Sequence, residues 1–94
     1  MRLKVTSELR KAIGKGSVDL EVDSGATLDD VLKKIDERYG MGIKGGTGKS
    51  LKELLKRFSV FVDGKSTRLP ADLACNLRND SEILIARPVG GGSG

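Results

Sequence analysis

At 94 residues the chain has room for one hydrophobic core and not for two, and a domain of this size buries about 60–65 % of the surface its unfolded form exposes. A lone cysteine, Cys75, excludes an internal disulfide and a multi-cysteine metal site and suits a reducing cytoplasm, while the lack of any histidine removes the commonest zinc ligand and general base, so no enzyme is expected. The net charge of +4 is spread along the chain, no run approaches the roughly 20 apolar residues of a membrane span, and no signal-peptide pattern opens the sequence, so a soluble protein away from membranes is expected.

Residues 2–6, Arg-Leu-Lys-Val-Thr, alternate polar and apolar, which predicts a strand with Leu3 and Val5 on one face. Residues 17–22 repeat the alternation, and Gly14 and Gly16 between the two runs predict a hairpin-like return with Leu9 and Ile13 tucked beneath it. From Thr27 the period lengthens: Leu28, Val31, Leu32 and Ile35 fall at i, i+3, i+4 and i+7, the apolar stripe of a helix lying on a sheet. Thr27 is placed to cap its first turn, Asp29 and Asp30 sit where the helix dipole favours negative charge, and Gly40 is predicted to end it. Lys33, Lys34, Glu37 and Arg38 fill its solvent side.

The next stretch, MGIKGGTGKS at residues 41–50, imitates a phosphate-binding loop. Gly48-Lys49-Ser50 matches the end of that motif, but the position five before Gly48 is Ile43 and Gly42 lies one residue too early, so the backbone N–H cradle cannot form in register. A phosphate loop also follows a strand, whereas this stretch follows a helix. The prediction is therefore a flexible glycine-rich connection. Ser50-Leu51-Lys52-Glu53 then matches a capping box that opens a short extra helix, with Leu51, Leu54, Leu55 and Phe58 inward and Lys52, Lys56 and Arg57 in water.

Residues 59–62 predict a strand, Asp63-Gly64 a tight turn, and residues 65–68 a shorter returning strand broken by Leu69-Pro70. Leu73 and Leu77 anchor an irregular segment, Asn79-Asp80 makes another turn, and residues 82–87 form the last strand with Ile83 and Ile85 inward. Phe61 and Leu84 then fall on the other sheet face, on adjacent strands, and form a candidate partner surface. The element order predicts an α+β fold: a mixed sheet wrapped around one main helix, its first and last strands parallel neighbours at the centre.

Four segments carry a further likeness: residues 9–14 after the first strand, residues 26–32 at the helix start, residues 60–65 at the hairpin, and residues 79–92 at the end. In this order they resemble the β-grasp family of ubiquitin-like proteins, above all the branch of the molybdopterin-synthase small subunit, the thiamine sulfur carrier and the archaeal ubiquitin-like modifiers. The resemblance leaves out the region from Gly40 to Leu55, and the added loop and helix over residues 40–58 depart from the compact sulfur carriers. It implies a β-grasp domain over residues 1–88 and a flexible glycine-rich tail over residues 89–94.

The tail has its own chemistry. Pro88 lacks a backbone donor and stops strand pairing, and Gly90, Gly91 and Gly92 after Val89 have no side chains to pin them. Extended from Pro88 to Gly92, this arm reaches about 16 Å, enough to thread a narrow cleft. A carboxylate is a poor electrophile and needs activation, and a terminal glycine offers a carbonyl with no Cβ to obstruct attack. The resemblance implies that Gly91 and Gly92 are the family's terminal diglycine and that an activating enzyme adenylates Gly92 with its own ATP, the chain binding no cofactor. The adenylate's acyl group then passes through a thioester to lysines of target proteins, as in a modifier, or becomes a thiocarboxylate for molybdopterin, thiamine or tRNA thiolation, as in a sulfur carrier that serves an acceptor enzyme.

Ser93 and Gly94 follow the diglycine, so Gly92 must first be freed: either they are a cloning remnant or a processing protease removes them, the latter favouring a modifier. Gly-Gly-Gly-Ser-Gly also fits a plain linker. A reading from another class is an RNA-binding module acting through Lys44, Lys49, Lys52, Lys56 and Arg57. Against nucleic acid stands the aromatic count, since only Tyr39, Phe58 and Phe61 are available for base stacking.

Overall fold

Leu3 and Val5 alternate with charged residues in β1 (Arg2–Val5), and Ile83 and Ile85 do the same along β5 (Glu82–Ala86). The two strands pair in parallel, with Leu3 beside Ile83 and Val5 beside Ile85. All four side chains are buried, so this pairing sets the floor of the core. These relations come from a computed structural model, which describes residues 1–23, 25–69 and 71–87. The remaining strands are β2 (Ser17–Asp19), β3 (Ser59–Val62) and β4 (Lys65–Ser66), in the sheet order β2-β1-β5-β3-β4. Every pair except β1 with β5 is antiparallel, giving the mixed sheet with parallel central strands that the element order predicts.

One long helix, α2 (Leu28–Thr47), lies across the inner face and buries Leu28, Val31, Leu32, Ile35 and Ile43. Its start carries a full capping box: the Thr27 N–H donates to Asp30 Oδ2 at 3.0 Å and the Asp30 N–H donates to Thr27 Oγ1 at 3.2 Å. The bond from the Thr27 backbone, reinforced by Lys33 nearby, holds the Asp30 carboxyl below its ordinary value of 3.8. A carboxyl whose folded pKa is depressed adds stability above its unfolded pKa and loses that contribution as pH falls through the folded one. Thr27→Ala is expected to cost about 1 kcal/mol in urea unfolding at neutral pH. Asp30→Asn should flatten the fall of stability below the ordinary carboxylate range, and an unchanged acid limb would show that the box contributes nothing there.

Four local expectations are corrected. The predicted hairpin return is a helix, α1 (Ser7–Ile13), which buries Leu9 and ends at Gly14. The strand expected over residues 17–22 stops at Asp19, although Leu20 is still buried and its N–H donates to the Met1 carbonyl at 2.8 Å. The strand expected over residues 65–68 is only Lys65–Ser66, although the N–H and Oγ1 of Thr67 both still donate to the Val60 carbonyl across from it.

The fourth correction concerns the glycine-rich connection. Gly40 does not end α2, and residues 41–47 are its last turns rather than a flexible link. Tertiary packing overrides the glycine penalty here. Ile43 is fully buried, and α1 packs so closely on this end that a Cβ on Gly46 would lie 3.2 Å from Ala12 Cβ and one on Gly42 would lie 3.4 Å from the Ala12 carbonyl oxygen. The helix stops at Gly48, whose φ of 77° is left-handed and whose N–H donates to the Lys44 carbonyl. The expected extra helix follows as α3 (Leu51–Leu55), with Ser50 Oγ accepting the Glu53 N–H at 3.3 Å, the serine half of the capping box. Among the described residues no helix is long and apolar enough to cross a membrane.

Candidate carrier end and outer sheet face

The last strand leads to the proposed tail. On one side, β5 ends paired with β3, Ile85 opposite Val60 and Ala86 opposite Ser59. On the other, Thr6 Oγ1 donates to the Ile85 carbonyl at 3.5 Å and the Arg87 guanidinium sits 3.6 Å from the Glu8 carboxylate at the start of α1. The side chains of that ion pair are 64 % and 43 % exposed, so it adds little stability and chiefly orients Arg87. Between Thr6 and Glu8, Ser7 takes φ 55°, a left-handed backbone uncommon for a residue with a side chain. The expected diglycine of Gly91 and Gly92, the expected tail residues Pro88, Val89 and Gly90, and the tail boundary at residues 89–94 lie outside the described residues.

The outer face of the sheet carries the candidate partner surface. Phe61 and Leu84 stand directly opposite each other across β3 and β5, both half-buried. Ser66 lies opposite Phe61 on β4, and Lys4 lies beside Leu84 on β1, its ammonium 3.3 Å from Glu82. The strand period alone located this pair, and the register makes it one small apolar patch with a polar border. Ala86 continues the same face towards Arg87, so the patch and the root of the tail form one surface. The Asp63-Gly64 turn beside it has the expected left-handed backbone at both residues, φ 50° and 82°.

Lys44, Lys52, Lys56 and Arg57 are exposed, as a solvated or a binding face requires. Lys52 and Lys56, one turn apart, border the same groove. Lys49 differs: its N–H donates to Thr47 Oγ1 at 3.1 Å and its carbonyl accepts from the same hydroxyl at 3.0 Å. With that amide engaged inside a helix-to-helix link, the lookalike motif presents no phosphate cradle there. Sequence reasoning missed Thr6 and Glu8 at the root of the tail, which carry no motif and meet β5 only through the fold.

A five-stranded mixed sheet in this order, holding one long helix against its inner face, defines a β-grasp protein of the ubiquitin-like kind. Solved structures agree. The chain is 22 % identical to SAMP1 from Haloferax volcanii with a TM-score of 0.71, covering 98 % of each chain. It is 26 % identical to the small archaeal modifier protein 1 from Methanosarcina acetivorans with a TM-score of 0.69, over 97 % of this chain and 94 % of that one. A third neighbour, in the BexX/CysO complex of Amycolatopsis orientalis, shares 22 % identity with a TM-score of 0.67 over 97 % of this chain and 98 % of that one. The ThiS family profile matches residues 3–92, and the chain belongs to that family of β-grasp sulfur carriers and ubiquitin-like proteins. No curated protein sequence matches it.

Proposed function

We propose that this chain, once it ends at Gly92, is a ubiquitin-like protein modifier. Its terminal carboxylate attacks the α-phosphorus of ATP on an activating enzyme, releasing pyrophosphate; the acyl group of the resulting adenylate then passes to a thiol of the partner, releasing AMP, and from that thioester to lysine amines of target proteins, freeing the thiol. The chain supplies the acyl group and the surface that is recognised. The nucleotide, the catalysis and any cofactor belong to the partner. The observation that carries this reading is the family match, which runs through residue 92 and so takes in Gly91 and Gly92 while leaving out Ser93. The likeness to a small archaeal modifier protein supports the modifier role. A second reading is favoured by the family itself: a sulfur carrier whose adenylate is converted to a thiocarboxylate by a sulfur donor.

Intact-mass measurement separates the two. The chain ending at Gly92, incubated with a cognate activating enzyme, ATP and a cell extract, should yield lysine conjugates of higher mass if it is a modifier. A terminus in which one oxygen is replaced by sulfur, with no conjugates, would select the carrier. Recovery of the untouched chain would reject both. Phe61→Ser is expected to raise the KM for activation about tenfold, the effect of losing one apolar anchor worth roughly 1–2 kcal/mol. The maximal rate should hold, since Phe61 serves recognition and takes no part in the acyl chemistry; an unchanged KM would remove the outer face from the interface.

A further inference from the structure

A second surface lies on the other side of the sheet. Between the first half of α2, α3 and β3 an open groove of about 680 Å³ is floored by Leu32, Phe58 and Val60, each more than nine-tenths buried. Three half-buried leucines, Leu55, Leu69 and Leu73, turn apolar surface into it from α3 and from the segment after β4. The helix stripes explain the floor; these three leucines pack against the core on one side and keep the rest of their apolar surface open to the groove. Exposed apolar surface rimmed by charge is the usual mark of a docking site.

The charges on the two walls differ. Lys52 and Lys56 stand on the α3 wall, and among the described residues neither is in an ion pair. On the α2 wall, Lys33 is held 3.0 Å from Asp29, which neutralises both, and Asp36 remains. The α3 wall is thus positive and the α2 wall weakly negative, with an apolar floor between them. We propose that the groove docks a short amphipathic segment of a partner protein, its apolar side chains against Leu55, Leu69 and Leu73 and its carboxylates against Lys52 and Lys56. Nucleic acid fits the same lysines poorly, because the one aromatic ring in the groove, Phe58, is only 7 % exposed and offers no face for a base to stack on.

The position gives the site a use. Ser59 lines the groove and pairs with Ala86, so a segment seated there lies beside the end of β5. A partner that handles the chain's terminus can hold the outer face and this groove together, and two contacts on one body raise the effective concentration of each. The groove's own binding does not depend on whether Gly92 is ever activated, and its test is independent of that chemistry.

The test titrates the isotope-labelled protein with short synthetic peptides of leucine and glutamate in helical i, i+4 register. Controls carry lysine for glutamate or serine for leucine, and an oligouridylate RNA is run alongside. The Leu/Glu peptide should bind, with NMR shifts concentrated at Leu55, Leu69 and Leu73, and the serine version should not. Lys52→Glu combined with Lys56→Glu should weaken that peptide at least tenfold and reverse the preference towards the Leu/Lys version. Both substitutions are at exposed positions, and circular dichroism confirms that the variant is folded. Equal binding of the acidic and basic peptides, shifts centred on Phe61 and Leu84, RNA binding at the same lysines in preference to peptide, or no binding at millimolar peptide would each overturn the proposal.

Discussion

Removing Gly91 and Gly92 from a chain that otherwise ends at Gly92 is expected to abolish ATP-dependent activation and to leave the unfolding free energy unchanged within about 0.5 kcal/mol. The two halves of that expectation rest on different parts of the molecule. Among the described residues every buried hydrophobic one lies between Leu3 and Ile85, and the last sheet pairing is that of Ala86 with Ser59. The described core and sheet are thus closed by residues up to Ala86, and the expectation is that the two terminal glycines add nothing to them. Activation is a matter of reach: a carboxylate moved back to Gly90 falls short of the nucleotide by two residues, roughly 7 Å, and an acyl transfer tolerates far less than that. A chain that keeps Ser93 and Gly94 should be equally inert, because Gly92 then has an amide in place of its carboxylate. Pyrophosphate release and a denaturant melt measured on the same three chains decide the matter. A large loss of stability on truncation would mean that the glycines belong to the globule, and continued pyrophosphate release would place the reactive carboxylate elsewhere.

Much of the fold is legible because one face of the sheet and one stripe of the helix are buried. Leu3, Val5, Val60, Ile83 and Ile85 are inward in the period of two, and the same period delivers Phe61 and Leu84 to the outer face. The parts that escape are those held by tertiary contact. In α1 only Leu9 is buried, and a helix of seven residues with Leu9 and Ile13 as its stripe reads equally well as a tucked loop. Leu20 is buried without belonging to a strand because its backbone bonds to the chain's first residue, a contact with no local signal. The root of the tail and the groove are hidden for the same reason: Glu8 meets Arg87, and Leu55 comes to line one groove with Leu69 and Leu73, only after β5 and the segment following β4 have been placed. Gly40 is the clearest failure of a local rule. Glycine commonly follows a helix end, yet here the signal that matters lies further on, in Ile43 and in the left-handed Gly48.

The extended end of α2 makes a prediction that separates helix propensity from packing. Gly45 and Gly46 are neighbours in the same helical turn, but a Cβ on Gly45 would meet nothing within 4 Å whereas one on Gly46 would meet Ala12 at 3.2 Å. Gly45→Ala is expected to stabilise the protein by about 0.5–1 kcal/mol, the gain from restricting the unfolded chain and removing a helix-interior glycine. In a domain of this size that shifts the melting temperature upward by a few degrees. Gly46→Leu brings nearly the same helix propensity and should instead destabilise by about 1–3 kcal/mol, since a leucine there forces α1 away from the core and with it the buried Leu9. Gly46→Ala falls between, and Ala12→Gly in that background should recover stability by vacating the space the new methyl group needs. Denaturant unfolding of the four variants against the parent reads all of these at once. If Gly46→Leu is as stable as Gly45→Ala, α1 does not rest on α2 at this point, and residues 41–47 are the loose connection that their glycine content suggests.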